Sequence, residues 1–296
     1  MPAYIEIIDD YDHNGNVEYI LENVLMPDDG SPEYRRLKDD YNSQLTLSCT
    51  CTDNCSNIVL CYHGDGIKYT RVKGELVLLS SADKQFPSII ECNDLCECRI
   101  TLCTNRRVQY GPRKNLEVFE SPLYKSKGLR TTADIPSGAF ICEYAGELLT
   151  LPEARRRLEH IDKNCLVNYI LCLNEHVAPQ SPYLVQKKLL LTIVDPAQRG
   201  NIGRYLNHSC QPNCEILPVR TNCPIPKIGE LGLQKVKSCL FLFEMLVGIF
   251  AKHDIYANEE LCFHYAGEEH RDGMSNGKPC LCGAPHCIGF IPNSRI

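Results

Sequence analysis

The stretch NIGRYLNHSCQPNC, residues 201–214, decides how the rest of the chain is read. It gathers Arg204, Asn207, His208, Cys210 and Cys214 into one short segment. Just before it, the apolar run at 189–194 reads as a buried strand. Asn207 and His208 set an amide beside an imidazole, a pairing suited to gripping a polar small molecule. Cys210 is a candidate metal ligand that would pin this segment to something distant. Near the other end of the sequence, Cys280-x-Cys282-x4-Cys287 offers three thiols and lacks a fourth. Three plus Cys210 complete a tetrahedral sulfur site of the kind zinc favours.

Working outward, 296 residues are enough for one large or two small domains, with ordinary hydrophobic content. The formal charge of −6 argues against nonspecific nucleic-acid binding and suits a basic partner. With no strongly basic run, direct sequence-specific nucleic-acid recognition is not expected. The outlier is cysteine, at 19 residues. Either a secreted disulfide scaffold or intracellular zinc would account for so many. The acidic start MPAYIEIIDDYDHNG has no apolar signal core, which speaks against secretion. The C-x-C and C-x3-C-x-C spacings suit metal better than disulfides. No apolar run reaches the length of a membrane span, so no membrane partner is expected.

Four motifs carry a resemblance. Glu143-Tyr144-Ala145-Gly146-Glu147, Asn207-His208-Ser209-Cys210, Glu260-Leu261-Cys262-Phe263-His264-Tyr265 and the C-x-C-x4-C tail occur in the order found in the SET-domain protein lysine methyltransferases. The likeness runs over about residues 49–290. It is greatest to the branch with a cysteine-rich pre-SET module and a post-SET zinc loop, which contains the histone H3 lysine 9 enzymes and a SET–transposase fusion. The resemblance implies a mostly β fold with short helices and a knot-like C-terminal crossing. It divides the chain into an N-terminal extension (1–48), a pre-SET zinc module (49–110), a SET catalytic domain (115–267) and a post-SET zinc loop (278–294).

Several positions acquire roles through that likeness. Cys49, Cys51, Cys55, Cys61, Cys92, Cys96, Cys98 and Cys103 become pre-SET zinc ligands. The family pattern would place a ninth thiol at Val59, so two or three ions are expected there. Cys210, Cys280, Cys282 and Cys287 hold one more. Such a module has too small an apolar core to fold unaided, so metal binding supplies the folding energy. Ser126, Lys127 and Gly128 stand where the family has a Gly-x-Gly turn against S-adenosylmethionine. Tyr169, Arg204, Asn207 and His208 complete the expected cofactor site, with a structural salt bridge the equal rival for Arg204. Tyr265 is the expected catalytic hydroxyl, Tyr169 lines the lysine site, and Phe263 sets how many methyl groups are added.

Local signals fill in the remainder. Residues 27–30 read as a turn, and 115–119, 139–144 and 168–173 as strands. Thr150-Leu151-Pro152-Glu153 is a capping box that opens a helix through 161, on which Arg155, Arg156 and Arg157 read as a solvated face, with a substrate-tail contact the alternative. Residues 174–188 read as a loop. Residues 229–248 are anomalous beside the family pattern, and both an insertion and a translated intron stay open.

The implied chemistry is methyl transfer from S-adenosylmethionine to a lysine of the histone H3 tail, in the nucleus on the chromosome, with lysine 9 favoured and lysine 36 possible. A catalytically inactive, chromatin-binding homologue is the other reading. Transfer needs a neutral amine, although free lysine titrates at about 10.4. Burial and a nearby sulfonium charge both favour the neutral form. An aromatic channel from Tyr169, Phe263 and Tyr265 would supply that burial. The extended tail is expected to bind as an added strand.

Overall fold

The computed structural model describes residues 11, 17–42, 48–52, 55, 69–79, 89–177, 188–220, 245–266 and 275–292. The centre is a four-stranded sheet in the order Ile89–Ile90, Cys214–Arg220, Met245–Ala251, Phe140–Glu143. Cys214–Arg220 and Met245–Ala251 pair antiparallel over seven positions. Phe140–Glu143 is buried at every residue, as a strand covered on both faces must be. Ile141, Val247, Ile249 and Ala251 pack with Leu129, Ile255 and Leu261 into the main core. Phe140 and Phe250 meet edge to face at 5.3 Å on the side towards the cysteine module.

A second sheet runs Leu171–Val177, Lys188–Asp195, Glu147–Leu148, Val24–Leu25. Lys188–Asp195 contains the apolar run read from the sequence. Asn168 Oδ1 accepts from the Ile170 amide at 2.9 Å, so the chain is still turning where a strand was expected, and the strand opens three residues later. It then continues to Val177, into the stretch expected to be loop.

The helix Leu151–Lys163 starts where the capping box placed it, with Thr150 Oγ1 accepting from the Glu153 amide at 3.4 Å. The solvated-face expectation fails for Arg157. Its Nη1 donates to Glu147 at 2.7 Å and Asp195 at 2.8 Å, carboxylates only 4% and 3% exposed, and its Nε reaches Glu153. Arg155 and Arg156 do face solvent. A first helix, Pro32–Asn42, was not foreseen. Ser31 Oγ accepts from the Tyr34 amide at 2.9 Å, and Tyr34 is buried against Met26, Leu149 and Ile193.

The last four residues of the 229–248 block belong to the central strand, where residues 245–248 stand opposite 217–220. Residues 221–244 lie outside the described residues, as do Val59 and Cys61. Among the described residues, no helix is long and apolar enough to cross a membrane.

Candidate active site

The crossing that builds the site is a two-residue parallel pair. Asn207 lies beside Cys262 and His208 beside Phe263, and the Ser209 amide donates to Phe263 O at 3.1 Å. Segments some fifty-five residues apart in sequence are thereby locked together. The turn entering this pair is set by Asn201, whose Oδ1 accepts from the amides of Gly203 (3.0 Å) and Ala145 (3.3 Å). Gly203 sits so close to Glu143 O that a Cβ would approach it to 2.3 Å.

Immediately after the pair, Cys210 joins Cys280, Cys282 and Cys287, the four sulfurs all within 4.8 Å of one another. Zinc–sulfur bonds of about 2.3 Å place tetrahedral ligands about 3.8 Å apart. Cys210 Sγ lies 3.9 Å from that of Cys280 and 3.8 Å from that of Cys287. The donor set and spacing therefore fit a closed zinc site. Gly283 and Gly289, both at positive φ, let the loop turn tightly around it, and the Gly289 amide donates to Cys287 Sγ at 3.4 Å.

A second thiol group, Cys49, Cys55, Cys92 and Cys98, also has its sulfurs within 4.8 Å. Cys49, Cys55 and Cys92 are 3.4–3.9 Å apart. Cys96 and Cys103 are buried in the same cluster and Cys51 packs against it. Cys96 Sγ accepts from the amides of Cys49 and Asn93, both at 3.3 Å. Hydrogen bonds from Cys55 and Cys92 hold the Cys103 thiol far below its ordinary value. The fully buried Arg106 points Nη2 at Cys98 Sγ, 3.8 Å away, a cation set against the thiolates.

Phe263 and Tyr265 lie with ring centroids 4.8 Å apart, and Tyr144 meets Phe263 at 5.9 Å. The Tyr144 hydroxyl donates to Tyr169 O at 2.6 Å, and the Arg204 guanidinium stacks on the Tyr169 ring at 4.4 Å. Tyr265 donates its hydroxyl to Leu206 O at 3.0 Å. Burial, with the neighbouring Cys262, Tyr169 and Glu260, pushes the Tyr265 phenol well above its ordinary range, so it stays protonated. Of the three aromatic residues expected to form the lysine channel, Phe263 and Tyr265 are in ring contact, and Tyr169 is tied to them through Tyr144.

His208 has its ring engaged inside the protein. Its ring is buried, Nδ1 accepts from the Tyr265 amide at 3.2 Å, and Nε2 lies 3.4 Å from Cys210 Sγ. Since Nδ1 must accept, the proton sits on Nε2 and points at the sulfur. Burial, aided by His264, lowers its pKa to about 4, so the ring is neutral. Any ligand contact at this residue therefore falls to its backbone. Arg204 is braced by backbone rather than by a salt bridge: Nε donates to Pro196 O at 3.0 Å, and among the described residues it joins no ion pair. Ser126 and Lys127 are exposed on a hairpin beside Asn207, whose Nδ2 donates to Lys127 O at 3.2 Å.

The SET domain model matches residues 126–266 and the Pre-SET motif model residues 2–106. The "Probable histone-lysine N-methyltransferase set-23" of Caenorhabditis elegans is 38% identical over 251 residues, covering 83% of this chain and 87% of that protein. This chain belongs to the SET-domain family. The histone-lysine N-methyltransferase SETMAR of Bos taurus is 38% identical over 226 residues, 72% of this chain, and the chain spans 64% of that relative's length. The methyltransferase domain of human SETMAR superposes with a TM-score of 0.70 at 30% identity, covering 97% of this chain and 93% of that one. Arabidopsis thaliana SUVH6, solved in complex with SAM, superposes at 0.62 with 25% identity, covering 96% and 52%.

Within this SET fold, sequence reasoning gave no role to Tyr144 or Glu260. Both were visible inside quoted motifs, but neither residue type signals by itself what it will touch. Tyr144 reaches Phe263 because it follows directly on the buried strand Phe140–Glu143.

Proposed function

We propose that this chain is an S-adenosylmethionine-dependent histone-lysine N-methyltransferase. The observation that carries the proposal is the junction of Asn207, Tyr265 and the Cys210 thiol cluster through one parallel strand pair. SETMAR and set-23 bear that activity in their names, and SUVH6 was solved with SAM, which supports the same reading. Asn207 offers an amide acceptor, Arg204 a guanidinium three residues away, and Tyr169 an aromatic face. These suit a zwitterionic ligand with an aromatic base.

When bound, S-adenosylmethionine supplies an electrophilic methyl on a sulfonium. The chain's own residues do the rest. Tyr265, kept neutral by burial, holds the amine by hydrogen bond. Tyr169, Phe263 and Tyr265 exclude water and favour the neutral amine. No protein nucleophile is needed, so positioning carries most of the acceleration. The thiol-bound ions are structural, since closed sulfur shells leave no open coordination position. Phe263, 3% exposed, has no hydroxyl to hold a water, which leaves room for a second or third methyl.

The substrate is a lysine of the histone H3 tail, lysine 9 before lysine 36, and the setting nuclear chromatin. The proposed units are the extension 1–48, the pre-SET module 49–110, the SET domain 115–267 and the post-SET loop 278–294. Incubation with labelled S-adenosylmethionine and histone H3, beside Tyr265→Phe, tests the reading. Transfer by the first and loss of at least about a hundredfold in the second is expected. Retained cofactor binding without transfer by either would favour an inactive chromatin-binding homologue.

A further inference from the structure

We infer that Glu260 is a positioning residue that fixes the direction of the Asn207 amide, and that Gly128 is glycine to leave room for it. The inference rests on the proposed S-adenosylmethionine site.

Asn207 Nδ2 donates to Glu260 Oε1 at 2.8 Å and to Lys127 O at 3.2 Å. Both partners are acceptors only, so the flipped amide would set its oxygen against two oxygens. The amide has one allowed orientation. Its Oδ1 takes a long contact from Ser126 Oγ at 3.5 Å and retains acceptor capacity. The second carboxylate oxygen of Glu260 is held by Ser121 Oγ at 2.7 Å. Its backbone is fixed as well, since Asn213 Nδ2 donates to Glu260 O at 2.9 Å and Arg130 bridges it in antiparallel fashion. A negative group behind the amide nitrogen draws its protons and enriches charge on Oδ1. Such an acceptor favours a cationic donor. In S-adenosylmethionine the cation able to donate a hydrogen bond is the α-ammonium, because the sulfonium carries no proton.

Gly128 belongs to the same device. A Cβ there would lie 2.4 Å from Glu260 Oε1 and 3.1 Å from Phe119 Cε1, both ends of side chains. The Gly128 backbone is not at positive φ, so alanine is conformationally tolerated. Its methyl group would displace the carboxylate from Asn207 rather than distort the chain.

The test measures binding of S-adenosylhomocysteine and of 5′-methylthioadenosine, which lacks the amino-acid end, by calorimetry on the full chain. In Glu260→Leu, S-adenosylhomocysteine is expected to bind about tenfold or more weakly, a loss of about one bond to a charged group. Binding of 5′-methylthioadenosine should stay within about twofold. Gly128→Ala should weaken S-adenosylhomocysteine at least as much as Glu260→Leu does. Glu260→Gln, which keeps an acceptor for Asn207 and a donor for Ser121, should restore affinity to within about threefold. Equal losses for both ligands would make Glu260 merely structural and overturn the inference, as would no loss for either. A wild-type chain that binds neither ligand would instead overturn the cofactor reading beneath it.

Discussion

The two thiol clusters share a chemistry and differ in setting. Cys49, Cys55, Cys92 and Cys98 are all buried, within a module whose own core is the sulfur itself. Cys210, Cys280, Cys282 and Cys287 are all half-exposed, and three of them lie on a loop beside a SET domain with a large apolar core. The same ion should therefore do different work in each. In the first cluster it would replace a hydrophobic core. In the second it would close a clasp over a site that is already folded, through Cys210, His208 and Tyr265.

The sharpest way to break this contrast is Cys92→Ser. A structural zinc contributes about 10–16 kcal/mol, comparable with the roughly 5–15 kcal/mol net stability of a whole domain. The pre-SET module should fail to fold, read as loss of soluble protein and of zinc content. Arg157→Ala provides a yardstick without metal. It leaves the carboxylates of Glu147 and Asp195 buried and unpaired, at about 3–5 kcal/mol in denaturant unfolding. If Cys92→Ser costs no more than Arg157→Ala, the metal is not the core of its module.

Acidification should separate the clusters. Protons compete with zinc for thiolates, so affinity falls as pH falls. The half-exposed post-SET ion is expected to leave first in a metal-release titration, while secondary structure persists; simultaneous release would erase the distinction. The smallest effect belongs to Lys278, whose Nζ donates to Leu166 O at 2.6 Å and tethers the clasp to the turn after the second helix. Lys278→Ala should cost about 0.5–1.5 kcal/mol at most. It should raise amide exchange in Cys280 and Cys282 without touching the central sheet.

The clustering of the thiols was legible in the sequence because the residue types announce themselves. Thiols at C-x-C and C-x4-C spacings, one lone Cys210 and an aromatic Phe263-His264-Tyr265 end have few other uses in that order. The capping box was local and so was readable. What escaped was set by tertiary partners. Arg157 looked like its exposed neighbours Arg155 and Arg156 until two buried carboxylates from distant strands met it. For His208 nothing in the sequence signalled that its ring would turn to Cys210 and Tyr265. The helix Pro32–Asn42 did leave a trace, apolar Tyr34, Leu37 and Tyr41 after Ser31, but charged residues surround them.

The central claim is that the post-SET ion acts on the site and not on the fold. Labelled-methyl transfer to histone H3 by Cys282→Ser, measured beside its zinc content and melting temperature, tests it most directly. The account predicts one zinc fewer per chain, transfer reduced by about a hundredfold or more, and a melting temperature within a few degrees of wild type. Undiminished transfer after loss of that zinc would contradict it.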